Sequence, residues 1–514
     1  MTSRIYSAGL FGIDGFEVTV ECSAWDRIPS FDLVGLPDAA VKEAKNRVRS
    51  ACENSGYMFP PLDLCVNLAP ANLKKEGSGF DLAILVSVLQ CQGIIPHAMD
   101  FSDKLLIGEL SLTGEVRRID GVLPMCVAAR DAGKKEIYVP IENTAEAAVV
   151  SGITVYGVKS LRALINHFLG KEPIAPTPTS FDPKRLALRE GEEDFAQVRG
   201  QLKAKRALEI AAAGGHNVLM IGPPGSGKSM LAKRIGSILP DMTFEEAITA
   251  TKVHSVMGTL KTDLICTRPF RAPHHTVSPI GLIGGGAKAQ PGEISLAGSG
   301  VLFLDELPEF PKKVTEALRQ PLEDGCVTIT RAAAKITYPS RFMLVCAMNP
   351  CSCGYYGDPN KQCTCSPASV RKYLDRISGP LLDRMDLIIE LPSVSYDDIS
   401  GANPEGEPSA KIRARVNAAR AFAKARLEAA GDDASVLNGA MSPALLQKHC
   451  VPNAEAKELM REAFDSLGLS ARGHDRILRV ARTIADLDGA QEIGPDHIGE
   501  AIMYRSLDRK YWKH

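Results

Sequence analysis

The sequence predicts a multidomain α/β protein with an α+β N-terminal domain, an α/β core built on a parallel sheet, and a C-terminal helical subdomain. Three observations carry this expectation. The chain has 514 residues, too many for one core at about 150 residues per domain. Its runs at 217–222, 300–304 and 341–347 are almost continuously apolar, the pattern of strands buried on both faces of a parallel sheet. Residues 410–514 are rich in Ala, Leu, Arg and Glu with helical periodicity.

Two Pro/Gly-rich breaks set the boundaries. GKEPIAPTPTSFDP ends at 183 and reads as a stiff linker over 171–183, while GANPEGEPS covers 401–409. The expected domains are therefore 1–170, the core at 184–400, and 410–514. Within the first, strand-like runs at 16–21 and 137–140 alternate with amphipathic helices. Asp38 can cap one helix that buries Val41, Ala44, Val48 and Cys52 at helical spacing and stops near Gly56.

Composition narrows the function class. Hydrophobic residues at 45% and charged residues at 24% are globular values. Sixty Lys and Arg against sixty-one Asp and Glu give a net charge of -1, so any nucleic-acid binding must come from local patches. There is no secretory h-region and no 18-residue apolar span, which leads us to expect a cytoplasmic protein without a membrane anchor. Nine of the thirteen cysteines are scattered singly, as reduced core residues are.

Gly222-Pro223-Pro224-Gly225-Ser226-Gly227-Lys228-Ser229 fits GxxxxGK[ST], with the apolar NVLMI before it and the helix-like SMLAKRIGSIL after it. Strand, loop and helix is the context that lets backbone N–H groups wrap phosphates at a helix N-terminus. Lys228 then reaches the β/γ-phosphates of ATP and Ser229 ligates Mg²⁺. The run Val301-Leu-Phe-Leu ends in Asp305 and Glu306, two acids that repel unless a cation lies near. Asp305 suits the Mg²⁺ shell, and Glu306 suits polarisation of the attacking water. Asn349 ends the third run, placed either to orient that water or merely to turn the chain before Pro350. P-loop, acidic strand end and strand-terminal Asn in this order resemble AAA+ ATPases.

Lys228 and Asp305 lie too far apart for one helix crossover, so an insertion is expected between them. Residues 251–290 supply it, with Arg268 and Arg271 in RPFRAPHHT and a GGG loop. A second basic element, 327–338, reads as a β-hairpin tipped near Arg331 and Lys335. Either is a solvated basic loop or a set of cations that tracks a phosphate backbone. Cys351, Cys353, Cys363 and Cys365 form CxC-x9-CxC directly after Asn349. Four closely spaced thiolates suit structural Zn²⁺, with an iron–sulfur cluster or free thiols as the alternatives.

The phrases SFDLVGLPDAAVKEAKNRVRSA, VNLAPANLKKEGSGFDLAI, GELSLTGEVRRIDGVLPM, RPFRAPHHT, LFLDELPEF, ALRQPLEDG, AMNPCSCGYYGD and SARGHDRILRVARTIADL resemble the ComM/YifB family of magnesium-chelatase-like AAA+ proteins. The resemblance covers nearly the whole chain. It implies a homohexameric ATPase that drives branch migration on branched or single-stranded DNA in natural transformation, with a C-terminal helical lid and a Lon-protease-like N-terminal domain. In GPLLDRMD, Arg384 resembles the arginine finger of the helix-2-insert clade, the alternative being an ion pair with Asp383 or Asp386. Arg472 in SAR resembles its sensor 2, although Arg476, Arg479 and Arg482 follow at helical spacing and could share one solvated face. A Lon-type protease needs a Ser–Lys dyad. Here Gly79 occupies the nucleophile position, with Ser78 beside it, and 120–125 contains no lysine, so the domain is expected to be inactive. A magnesium-chelatase-type motor subunit that remodels a protein partner is the alternative reading.

Overall fold

The computed structural model describes residues 2–179, 186, 193–286, 289–330, 335–393 and 406–512. The chain divides into two compact units, one of Met1–Arg185 with Phe244–Ile265, the other of Leu186–Thr243 with Cys266–His514.

The first unit is α+β. Thr2–Phe11, Asp14–Trp25 and Asp63–Ala69 pair antiparallel, and Ser30–Val34 adds in parallel at the edge. Alternation of buried and half-buried positions along Asp14–Trp25 shows a sheet with one face on the core. Helix Ala39–Asn54 starts where its sequence says it should: the Val41 N–H donates to Asp38 Oδ1 at 2.8 Å, and Val41, Ala44, Val48 and Cys52 are buried. Helix Asp81–Cys91 is buried at every residue, which explains its lack of amphipathic pattern. A second sheet orders Pro176–Thr177, Thr154–Val158, Glu136–Pro140 and Lys104–Leu106.

Phe244–Ile265 departs from the expected division, since it lies within the span assigned to the core yet packs with the first unit. Its helix Phe244–Val256 buries Ala247, Ala250 and Val253, and Lys252 pairs with Asp14 at 3.0 Å. The 251–290 stretch is thus split, and only its second part accompanies the sheet of the other unit.

That sheet is parallel, with strands ordered Phe270–Arg271, Val301–Leu304, Met343–Met348, Val218–Ile221 and Leu387–Glu390. Three strands are the apolar runs read from sequence. Helix Leu202–Gly214 and the helices Ser409–Ala429 and Ala471–Leu487 share one core with it, through residues such as Leu208, Val218, Val416 and Ile484. Residues 406–512 contain helices throughout, as the composition indicated. Cys326–Thr330 and Lys335–Pro339 form the expected antiparallel hairpin, while Arg331 lies outside the described residues.

Candidate nucleotide site

Parallel strands place their C-terminal ends on one edge, and ligands of such sheets bind there. Val218–Ile221 runs into the glycine-rich loop, its neighbour Met343–Met348 runs into Asn349, and Val301–Leu304, on the far side of Met343–Met348, runs into Asp305-Glu306. The adjacency is anchored by the Gly222 N–H donating to Met348 O at 3.2 Å. Gly225 and Gly227 have φ of +81° and +90°, with nothing near where a Cβ would stand. Their glycines therefore serve conformation rather than clearance, turning the backbone left-handed before helix Lys228–Arg234.

Lys228 is buried and donates to Gly222 O at 2.8 Å, Pro223 O at 2.9 Å and Asn349 Oδ1 at 3.2 Å. Burial pulls its ammonium below the usual lysine range, against the raising influence of Asp305 and Glu306. A cation held by loop carbonyls and penalised by burial is suited to receive an anionic ligand. Ser229 donates to Asp305 Oδ2 at 2.6 Å, so the two expected Mg²⁺ ligands already meet. Glu306 takes a left-handed φ of +51°, strained for a non-glycine residue, and its side chain is more than half exposed.

Arg384 lies next to the buried end of Leu387–Glu390. It donates to Pro380 O at 2.6 Å and pairs with Glu323, not with Asp383 or Asp386. Asp386 instead accepts from Asn217 N at 3.1 Å and faces His216 Nδ1 at 3.3 Å, while His216 Nε2 meets Thr483 at 2.8 Å. Despite the raising effect of burial, His216, Arg476 and the Asn217 N–H hold the Asp386 carboxyl below its ordinary range. Asn217 also donates to Arg384 O at 3.0 Å. Sequence reasoning missed this buried group; the polar His216-Asn217 pair directly before an apolar strand was its signal.

The arginines of helix Ala471–Leu487 do not share one solvated face. Arg472 is 70% exposed, whereas Arg476 and Arg482 are buried, the first 3.2 Å from Asp383 and the second 3.0 Å from Asp486. Arg268 donates to Pro240 O, Ser299 O and Asp241 O at 2.7, 2.6 and 3.1 Å. Arg271 grips Glu293 with two bonds of 2.6 and 2.7 Å. Both guanidinium groups thus tie chain segments together inside this unit.

The Sγ atoms of Cys351, Cys353, Cys363 and Cys365 lie within 4.8 Å of one another. Cys351 is 3.3 Å from Cys353 and 3.7 Å from Cys363. A tetrahedral site with metal–sulfur bonds near 2.3 Å needs edges of about 3.8 Å, so the donor set fits a structural metal. Although burial opposes it, N–H groups of Tyr355 and Thr364 and the neighbouring thiols pull Cys353 to about 5, favouring the thiolate that metals bind. The loop sits against the phosphate loop: a Cβ on Gly354 would stand 2.6 Å from Pro224 Cδ. In the first unit, Lys75 is buried with Nζ on Pro70 O and on Leu73 O at 2.9 Å, and Ser78 bonds Glu109. Ser78 and Lys75 form no dyad.

Such a phosphate loop, with acidic and amide strand ends beside it on a parallel sheet, defines an AAA+-type P-loop protein. The chain matches the family described as magnesium chelatase, subunit ChlI, over residues 194–399, with ChlI matches at 20–143 and, for the C-terminal part, 406–505. It is 42% identical to competence protein ComM of Haemophilus influenzae, over 98% of this chain and 97% of that one. Identity to YifB of Escherichia coli is 40%, over 99% and 97%. The magnesium-chelatase 38 kDa subunit of Rhodobacter capsulatus is 27% identical over 59% of this chain and 84% of its own. The chain belongs to the ComM/YifB family of magnesium-chelatase-like AAA+ proteins.

Proposed function

We propose that this protein is an ATP-hydrolysing DNA motor that acts as a homohexamer in branch migration and strand unwinding during recombination, as in natural transformation. The observation that carries the ATPase reading is the convergence of Lys228, Ser229, Asp305, Glu306 and Asn349 at three adjacent strand ends. The phosphate-loop N–H groups and Lys228 hold the triphosphate, whose charge replaces the carbonyls now facing the ammonium. Ser229 and Asp305 would hold Mg²⁺, which would supply charge neutralisation for the phosphates when bound. Glu306 accepts a proton from the attacking water, and Asn349 orients it. Arg384 reaches a neighbouring subunit's γ-phosphate after leaving Glu323, and Arg472 serves as sensor 2 on the helical lid.

Support for DNA as the partner comes from the competence-named relative and from Lys335 on the hairpin, with Arg331 next to Thr330 in sequence as the second candidate cation. Arg268 and Arg271 are weaker contacts for DNA because their donors are engaged within the chain. The cysteine loop carries structural Zn²⁺. The N-terminal unit is an inactive Lon-like scaffold, consistent with Lys75 and Ser78 each bonding other partners. No helix among the described residues is long and apolar enough to cross a membrane.

The match to a magnesium-chelatase subunit favours a second reading, a motor subunit that remodels a protein partner. Turnover of ATP measured with forked DNA, single strands, duplex and a porphyrin separates the two. Stimulation by forked or single-stranded DNA is expected; absence of any DNA response would sink the motor reading, and stimulation by porphyrin alone would favour the other.

A further inference from the structure

We infer that His275 is a positioning residue for Glu306, and that the segment RPFRAPHHT is built to deliver it. This rests on the ATPase reading above. The topology is the first argument. Phe270–Arg271 lies beside Val301–Leu304 in parallel, with Phe270 opposite Val301 and Arg271 opposite Leu302. Chain leaving either strand therefore emerges at the same sheet edge, which brings 272–276 to the side of Asp305 and Glu306.

Anchoring is the second argument. Two residues before the strand's first position, Arg268 spends three donors on the carbonyls of Pro240, Asp241 and Ser299. At the strand's last position, Arg271 is locked to Glu293 by a bidentate pair. A planar guanidinium with two parallel bonds fixes direction as well as distance. The exit angle of the next residues is thus set before the histidines begin.

Geometry is the third. His275 Nδ1 lies 3.8 Å from Glu306 Oε2. The His275 ring lies against His274, tilted by 35° with centroids 4.0 Å apart, and meets the edge of Phe310 at 6.3 Å and 80°. His274 is itself tied to Thr276 Oγ1 at 3.0 Å. Among the described residues no arginine or lysine pairs with Glu306, and the nearby Glu309 is taken by Arg376. An exposed glutamate on a strained left-handed residue has rotamers to lose, and a general base is effective only when aimed. The separation exceeds a hydrogen bond, as expected before ligand binding, since catalytic contacts shorten in the substrate complex.

The test uses the full chain with His275→Ala and His275→Gln, each alone and in a Glu306→Gln background. Steady-state ATP turnover and the affinity for a fluorescent ATP analogue are both measured. His275→Ala should lower kcat about 10- to 100-fold, the scale of a misplaced catalytic group, with KM and analogue affinity changed less than about twofold. His275→Gln, whose amide can still hold the carboxylate, should recover most of the loss. In the Glu306→Gln background His275→Ala should cost nothing further. Wild-type kcat in His275→Ala, or an equal loss in both backgrounds, overturns the inference. So does a variant that keeps kcat but loses DNA affinity, which would return the segment to nucleic-acid contact. A wild-type chain that binds the analogue and hydrolyses no ATP fails at the underlying reading instead, and the two failures are told apart by wild-type turnover alone.

Discussion

Lys228 donates to loop carbonyls that a bound triphosphate would displace on the proposed reading, whereas Glu306 would act on the attacking water, so the two residues should fail differently. Lys228→Ala removes charge-assisted bonds worth about 1.5–3 kcal/mol, and ATP affinity should fall about 10- to 100-fold by equilibrium titration. Glu306→Gln should bind ATP normally yet lose about 100-fold or more in turnover; near-wild-type turnover would refute its role. Asp386 is a structural case at the same scale. Asp386→Ala leaves the Asn217 N–H and His216 without their acceptor, at about 1–3 kcal/mol for an unsatisfied buried donor, read by denaturant unfolding. Because its folded pKa lies below the ordinary value, the ionised carboxylate's contribution is fully present above the unfolded value near 3.9 and disappears as pH falls through the folded one. Stability attributable to Asp386 should therefore be flat from neutrality to about pH 5, and a loss of that contribution above pH 6 would contradict its depressed pKa.

Gly354 sits close against the phosphate loop at a φ of +88°, and a Cβ added there would stand 2.6 Å from Pro224 Cδ. Gly354→Ala adds the cost of a left-handed non-glycine residue, about 1–2 kcal/mol, and pushes on Pro224, so it should weaken ATP binding without touching a phosphate ligand. Elemental analysis should find about one zinc per chain, as a closed four-thiolate site requires. An absent metal or an iron–sulfur absorption band would reject that site, and chelation should reproduce the affinity loss of Gly354→Ala. These elements differed in how far they were legible beforehand. The phosphate loop, the acidic strand end and the four cysteines announce themselves because each is a short motif of chemically distinctive residues at close spacing. The strands at 218–221, 301–304 and 343–348 were visible as apolar runs. The two-residue strand Phe270–Arg271 has no room for a pattern. Helix Phe244–Val256 shows small apolar residues that suit either unit, and its packing on the first is a tertiary choice. Arg472 and Arg476 look alike in sequence; one turn of helix turns one to solvent and buries the other.

Whole-molecule function depends on whether these sites act across subunits. Arg384 in one chain is paired with Glu323 and held at its carbonyl by Asn217, close to the phosphate-loop strand but with no contact to the loop itself among its hydrogen bonds. A finger acting on a neighbour predicts that Arg384→Ala alone loses about 1,000-fold or more in turnover. Mixed rings of Arg384→Ala and Lys228→Ala should regain part of it, since each supplies what the other lacks; no recovery in verified mixed rings would make Arg384 structural. The hairpin makes the corresponding claim for DNA. Cys326–Thr330 and Lys335–Pro339 hold register through five residue pairs, closing with Thr330 opposite Lys335, so Lys335 stands at the last paired position; Arg331, next to Thr330 in sequence, lies outside the described residues. With a net charge of -1 for the whole chain, a non-specific attraction of the global field cannot supply DNA affinity, and local cations must. Each phosphate neutralised contributes about one unit to the slope of log affinity against log salt. Arg331→Ala with Lys335→Ala should therefore lower DNA-stimulated turnover and branch migration, flatten the salt slope by up to about two units, and leave DNA-free turnover near wild type. Unchanged branch migration with an unchanged slope would remove the hairpin from the DNA path, while a loss of DNA-free turnover would show that it supports the nucleotide site rather than the track.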